Sequence, residues 1–127
     1  MASAPAFSWR YAGLVAGGGA VGTAIRLAIT IAPWGDATVY VVPVINVVGA
    51  FLLGVITSLA VRRGDTERSR RIRHFFGGGV MGGFTTYSAF AVAAVGPQTI
   101  WLTLATAVVG TLAGWAGLML ARTRRSA

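Results

Sequence analysis

The chain has 127 residues, of which 55% are hydrophobic and 11% charged, with a mean hydropathy of +0.71; a soluble domain this small would lack the polar surface to cover itself, so the chain reads as an integral membrane protein. All eleven basic residues are arginine, set against three acids for a net charge of +8. Nearly all of them lie outside the apolar runs, so the charge marks membrane orientation and excludes nucleic acid as a partner, while the absence of cysteine excludes disulfides, thiolate metal sites and a cysteine nucleophile.

In chain order, Met1 to Arg10 carries a single Arg ahead of a glycine-rich stretch of full membrane length, which reads as the lead-in to an ordinary first helix rather than a secretory signal. Four apolar spans follow, about 11–32, 38–61, 75–95 and 99–121, each of 21 to 24 residues. That is enough to cross a roughly 30 Å hydrocarbon core at about 1.5 Å per residue. The expectation is an all-α membrane protein with a single four-helix transmembrane domain over residues 1–127. The connections are the turn Pro33-Trp34-Gly35-Asp36-Ala37, a charged loop from Arg62 to His74, and Gly96-Pro97-Gln98. Glycine pairs four apart, Gly13/Gly17, Gly18/Gly22, Gly78/Gly82, Gly79/Gly83 and Gly110/Gly114, each fall on one helix face and allow close helix approach, some of it to a second subunit.

The third span is the least regular. Gly77 to Phe90 places five glycines and then a cluster of hydroxyls and aromatic rings inside an apolar run. Each interior glycine costs about 1 kcal/mol of helix propensity relative to alanine, and hydrocarbon offers no water to backbone that leaves the ladder. The pattern predicts a third helix that breaks where protein or an ion-lined cavity satisfies the freed groups.

The polar groups inside the spans set the chemistry. The three carboxylates, Asp36, Asp65 and Glu67, all fall in the predicted loops. That argues against a proton-coupled cation exporter, which trades protons on an intramembrane acid. It argues against an enzyme as well, since a lone His74, read as a solvated interfacial residue, provides no acid/base couple. What remains is a set of donors without negative charge: Arg26, Asn46, the hydroxyls of Thr85, Thr86 and Ser88, and the ring edges of Phe84, Tyr87 and Phe90. Arg26 has two readings, a side chain snorkelling to the interface or a fixed positive charge at the mouth of an anion path. Asn46 is either helix-packing glue or an anion donor. Together the set suits a small, hard anion.

Three segments resemble the CrcB or Fluc fluoride channels: Gly18 to Arg26, a glycine-rich first helix ending in Arg; Asn46-Val47-Val48-Gly49-Ala50-Phe51-Leu52-Leu53-Gly54; and Gly82-Gly83-Phe84-Thr85-Thr86-Tyr87-Ser88-Ala89-Phe90, similar to the family's third-helix break. They occur in family order, and the resemblance covers all four spans. It implies a passive fluoride channel, exporting fluoride from the cytoplasm, built as an antiparallel dimer with pores along the subunit interface. Asn46 matches the family's pore Asn, and Tyr87 and Phe90 match the phenylalanines whose ring edges face fluoride. Arg26, Thr86 and Ser88 complete the expected anion pathway. Gly82 and Thr85 match the positions whose backbone carbonyls hold a structural sodium ion at the dimer centre. Tyr87-Ser88-Ala89-Phe90 stands where the family usually has Phe-Ser-Thr-Phe, so one ring gains a hydroxyl and one pore hydroxyl is missing.

Arginine placement predicts orientation. Four spans put both termini and the Arg62 to His74 loop on one side with ten of the eleven arginines, leaving only Arg26 to lean the other way. Short-loop bias of this kind predicts a multi-pass protein of the cell inner (plasma) membrane, surrounded by membrane lipid, with both termini cytoplasmic. A chain so strongly biased inserts one way, so the antiparallel partner is expected to be an oppositely oriented paralogue. Two other functions fit the size and span count: a small multidrug exporter, for which a Glu is expected in span one where Arg26 stands, and a non-conducting structural subunit of a membrane complex, which explains the glycine faces but not the donor cluster.

Overall fold

A computed structural model of the chain describes residues 7–88, 91, 95–97 and 99–123. The described residues are helical, without strands. Helix α1 spans Trp9–Thr30, a short 3-10 turn covers Gly35–Ala37, and α2 spans Thr38–Arg62. Then come α3 (Glu67–Ile72), a π-helix π1 (Arg73–Met81), the single turn α4 (Gly82–Phe84) and finally α5 (Ile100–Thr123).

The boundaries have local causes. α1 stops just before Pro33, and the Trp34 indole Nε1 donates to the Ile29 carbonyl at 2.6 Å, filling one acceptor that the helix end leaves open. α2 ends at Arg62, two residues before Gly64, whose φ of 76° is a left-handed conformation that glycine adopts without strain. Its N–H returns to the Val61 carbonyl at 3.2 Å. α3 is started by Thr66, whose side chain accepts from Ser69 N at 3.2 Å, with Glu67 in the first turn.

Packing divides the molecule into two parallel pairs. Tyr11 at the start of α1 donates to Glu67 at 2.7 Å, a β-carbon at Gly79 would stand 2.8 Å from Gly18 Cα, and one at Gly22 would stand 2.8 Å from Phe84 N. α1 and the run from α3 through α4 therefore lie side by side and point the same way. In the second pair a β-carbon at Gly114 would stand 3.4 Å from the Ala50 carbonyl and one at Gly54 3.0 Å from Leu118 N, while Arg62 Nη1 donates to the Ala121 carbonyl; α2 and α5 are also parallel. The two pairs meet where Ser69 Oγ donates to the Ala60 carbonyl at 2.6 Å and where Gly49 of α2 receives Thr85 and Phe84. Of the glycine pairs expected from spacing, Gly18/Gly22 and Gly79/Gly83 close onto one another, with Gly83 against the Gly19 backbone. Gly13, Gly17, Gly82 and Gly110 face open space.

Two expectations are corrected. The charged loop is not a loop from Arg62 to His74: helix resumes at Glu67, because Thr66 caps it and the Glu67 carboxylate pairs with Arg71 Nε one turn on, at 2.9 Å. His74 is not freely solvated, since it is half-buried and stacks on the Tyr11 ring at 4.4 Å between centroids. Among the described residues, three helices are long and apolar enough by themselves to cross a bilayer: Trp9–Thr30, Gly35–Arg62 and Ile100–Arg122. The remaining expected span, 75–95, is interrupted at Thr85, as its glycine content predicted; helical backbone resumes at Tyr87 and Ser88.

Tyr11 and Arg71 together hold the Glu67 carboxyl below the ordinary carboxylate range, the tyrosine hydroxyl being the larger cause. A depressed carboxyl contributes stability that is present above its unfolded pKa and is lost as pH falls through the lower folded value. Melting temperature should therefore fall on acidification through and below the ordinary glutamate range, and Glu67→Gln should flatten that fall. Thermal unfolding of both proteins in detergent between neutral pH and pH of about 3 checks this; identical profiles would show that the latch contributes nothing.

Candidate functional site

The break is a single change of backbone direction with four anchors around it. Phe84 closes α4, and Thr85 takes φ −76°, ψ 154°, an extended conformation. Thr85 still caps the turn it leaves: its N–H and its Oγ1 both reach the Met81 carbonyl, each at 2.9 Å. The Thr85 methyl then lies where a β-carbon of Gly49 would be, so α2 can approach only because residue 49 has no side chain.

Asn46 replaces the missing helix ladder. Its Oδ1 accepts from Thr86 N at 2.9 Å and its Nδ2 donates to the Thr86 carbonyl at 3.3 Å, so one side-chain amide pairs with both polar groups of one backbone residue. Two consequences follow. The second Nδ2 proton has no partner among the described residues. The Gly82 carbonyl, whose helical donor would be Thr86 N, has lost that donor to Asn46.

The third anchor comes from α1. Arg26 Nε and Thr23 Oγ1 both donate to the Gly83 carbonyl, at 3.3 Å and 3.4 Å. Arg26 is half-buried and turned onto the break, a placement that neither the snorkelling nor the pore-mouth reading anticipated. The fourth anchor is the backbone contact of Gly83 with Gly19. Beyond the break, Thr86 is buried with 8% exposure and its Oγ1 lies 3.2 Å from Ser88 Oγ, while Tyr87 is 83% exposed and points away from its own bundle. Phe90, expected to supply a ring edge, lies outside the described residues.

The structure thus brings Asn46, Arg26, Thr85, Thr86 and Ser88 to one place and leaves Tyr87 on an outer face. Sequence reasoning missed Thr23, Gly49 and Gly83. Thr23 could have been found from its position one turn before Arg26 on the same face, whereas nothing local assigns Gly83 to that pair. On α5 the hydroxyls of Thr103, Thr106 and Thr111 bond back to Thr99, Leu102 and Ala107 carbonyls at 3.1, 2.7 and 2.8 Å. They are spent on their own helix.

Fold and break together define a small polytopic helical membrane protein in which one interrupted helix is fastened by uncharged and cationic donors from its neighbours. The chain belongs to the CrcB family: the family described as "CrcB-like protein, Camphor Resistance (CrcB)" matches residues 13–121. It is 54% identical over 81 positions to fluoride-specific ion channel FluC 2 of Leifsonia xyli subsp. xyli, a match spanning 62% of this chain and little more than half, 56%, of that relative. Longer matches are to fluoride-specific ion channel FluC of Agrobacterium fabrum, 36% identical over 126 aligned positions covering 86% of this chain and 94% of the relative, and of Caulobacter vibrioides strain NA1000, 37% identical over 126 positions covering 86% and 93%.

Proposed function

We propose that this chain is a subunit of a passive fluoride-selective channel that lets fluoride leave the cytoplasm. The observation that carries the reading is the Asn46-fastened break in a chain of the CrcB family, whose relatives above are named as fluoride-specific channels. Fluoride surrenders its hydration shell only to several aligned donors, and it must be held weakly enough to leave. The spare Nδ2 proton of Asn46, the hydroxyls of Thr86 and Ser88 and the ring edge of Tyr87 are donors of that kind, with Phe90 next in line along the chain. Arg26 supports the path from behind, by holding the Gly83 carbonyl and by its positive charge.

We read four crossings, a reading the two parallel pairs support. α2 ends beside the end of α5, so the chain between them has to return along the whole bundle before α5 begins. The third crossing is then the expected span 75–95, from π1 through the break, with both termini on the arginine-rich side, in the cytoplasm. The bundle is completed by an antiparallel partner, on whose side the exposed Tyr87 and the open faces of Gly13 and Gly17 find cover. The orientation bias points to a related chain of opposite bias as that partner.

The break also fits a sodium ion. Gly82 offers a carbonyl that has lost its helical donor and an open face, and Thr85 offers the first carbonyl past the turn. Hard oxygen ligands of this type suit the ion. One chain supplies two, so the same pair from the partner completes the set, and the ion's part is to neutralise carbonyl dipoles at the dimer centre. Exchanging sodium for potassium or lithium should lower the dimer fraction in size-exclusion chromatography, whereas indifference to the cation would remove sodium from the reading.

Fluoride efflux from liposomes, recorded with a fluoride electrode against a chloride control, tests the function. It is paired with cysteine accessibility of a tagged C-terminus in cells. A single orientation, with little flux until a reversed relative is coexpressed, supports the heterodimer. Mixed orientation with robust flux makes the channel a homodimer, and selective flux under neither condition overturns the proposal.

A further inference from the structure

The basic end of the α2/α5 pair holds a cavity lined by none of the residues assigned above to the fluoride path. Its volume is about 440 Å³, within the range of small-molecule sites (about 300–1,000 Å³), and its walls include Thr57, Ser58, Arg62, Leu118 and Arg122. Three other cavities on the helix surfaces are walled almost wholly by apolar side chains, as lipid-facing grooves are. This one differs in kind. Arg62 and Arg122 sit in the last turns of α2 and α5, at the level where a spanning helix leaves hydrocarbon for the headgroup layer.

Both guanidinium groups lack an acid partner. Among the described residues the ion pairs are Arg70 with Asp65 and Arg71 with Glu67, and no carboxylate lines the cavity. Arg62 donates through Nη1 to the Ala121 carbonyl, which offsets the negative end of α5 and fixes the guanidinium across the groove, leaving its other N–H groups free to turn inward. Ser58 adds an independent observation. It is 4% exposed, makes no hydrogen bond among the described residues, and its hydroxyl is not fully occluded, so the surface it keeps opens on the cavity. Most threonines of α5 bond back to their own helix instead. A hydroxyl that opens on the cavity, beside two guanidiniums without an acid partner, suits an anionic acceptor there.

We infer that this cavity binds the phosphate of an anionic phospholipid headgroup, with Arg62 and Arg122 on the phosphate oxygens, Ser58 donating from below and the acyl chains leaving past Leu118. Charge selects a phosphate, and position at the interface selects a lipid as its source over a soluble ion. Native mass spectrometry of the purified full chain tests this with phosphatidylglycerol, phosphatidylcholine and inorganic phosphate as probes. Phosphatidylglycerol should be retained selectively, and Arg122→Gln should reduce its retention by roughly fivefold, the effect of one interfacial arginine. Ser58→Ala should reduce it further in combination. Arg63→Gln, an exposed arginine at the same end that does not line the cavity, should leave retention unchanged. Equal retention of phosphatidylcholine, an unchanged Arg122→Gln protein or an equal loss in Arg63→Gln would overturn the site. Displacement of the lipid by millimolar inorganic phosphate would overturn its assignment to lipid.

Discussion

Asn46→Ala should lower fluoride efflux roughly a hundredfold while the protein still inserts and dimerises. The substitution removes the spare amide donor and both bonds to Thr86 at once. A buried polar group that loses a hydrogen bond costs about 1–3 kcal/mol, and Thr86 loses both of its bonds to the Asn46 amide at membrane depth. The segment then relaxes from the geometry that aims Thr86 and Ser88. An expected factor of about a hundred corresponds to about 2.7 kcal/mol at the rate-limiting point of the path, within what those losses supply. Asn46→Asp separates the two roles: it keeps an acceptor for Thr86 N but has no donor for an anion and adds a negative charge. If both variants are folded by size-exclusion chromatography and both lose flux, the donor is required. If Asn46→Ala conducts normally as the only subunit present, Asn46 has no place on the path.

What the sequence disclosed, and what it hid, follows the range of each interaction. The three long apolar helices, the break at Thr85 and the hydroxyl cluster beside it were legible because glycine content and hydropathy are local. Asn46 was legible as a candidate because an amide inside an apolar run is conspicuous. Its partner was not, since the Thr86 backbone lies forty residues away and presents no side-chain signal. Arg26 was visible as a charge in a membrane helix, but its target is a carbonyl freed only once the third helix breaks. The stretch read as a charged loop was misread because its arginines masked a helix start. Thr66 with Glu67 behind it, and Glu67 with Arg71 four residues on, were the signals that override them. Glycine spacing identified faces without assigning partners: Gly18/Gly22 met Gly79/Gly83, whereas Gly13/Gly17, with the same spacing, met nothing among the described residues.

Gly22→Val should unfold the site from a distance. A β-carbon at residue 22 would meet the Val80 carbonyl oxygen and stand 2.8 Å from Phe84 N and 2.9 Å from the Val80 carbonyl carbon. All three are backbone atoms of π1 and α4, which cannot swing aside as a flexible side chain can. Overpacking of this sort costs about 1–3 kcal/mol where neighbours can adjust, and about 3 kcal/mol or more is expected here. The way to relieve the clash is for α1 to move off α4, which also withdraws Thr23 and Arg26 from the Gly83 carbonyl, on the turn of helix that follows residue 22. One added side chain then removes both the packing and the hydrogen bonds that hold the near side of the break. Thermal unfolding in detergent should drop by roughly 10 °C, with fluoride efflux lost in parallel. Gly13→Val, on the same helix but facing open space, should leave the melting temperature of the chain within a few degrees. If Gly22→Val melts and conducts as the unaltered protein does, α1 is not what braces the break, and the Arg26 bond to Gly83 loses its role with it.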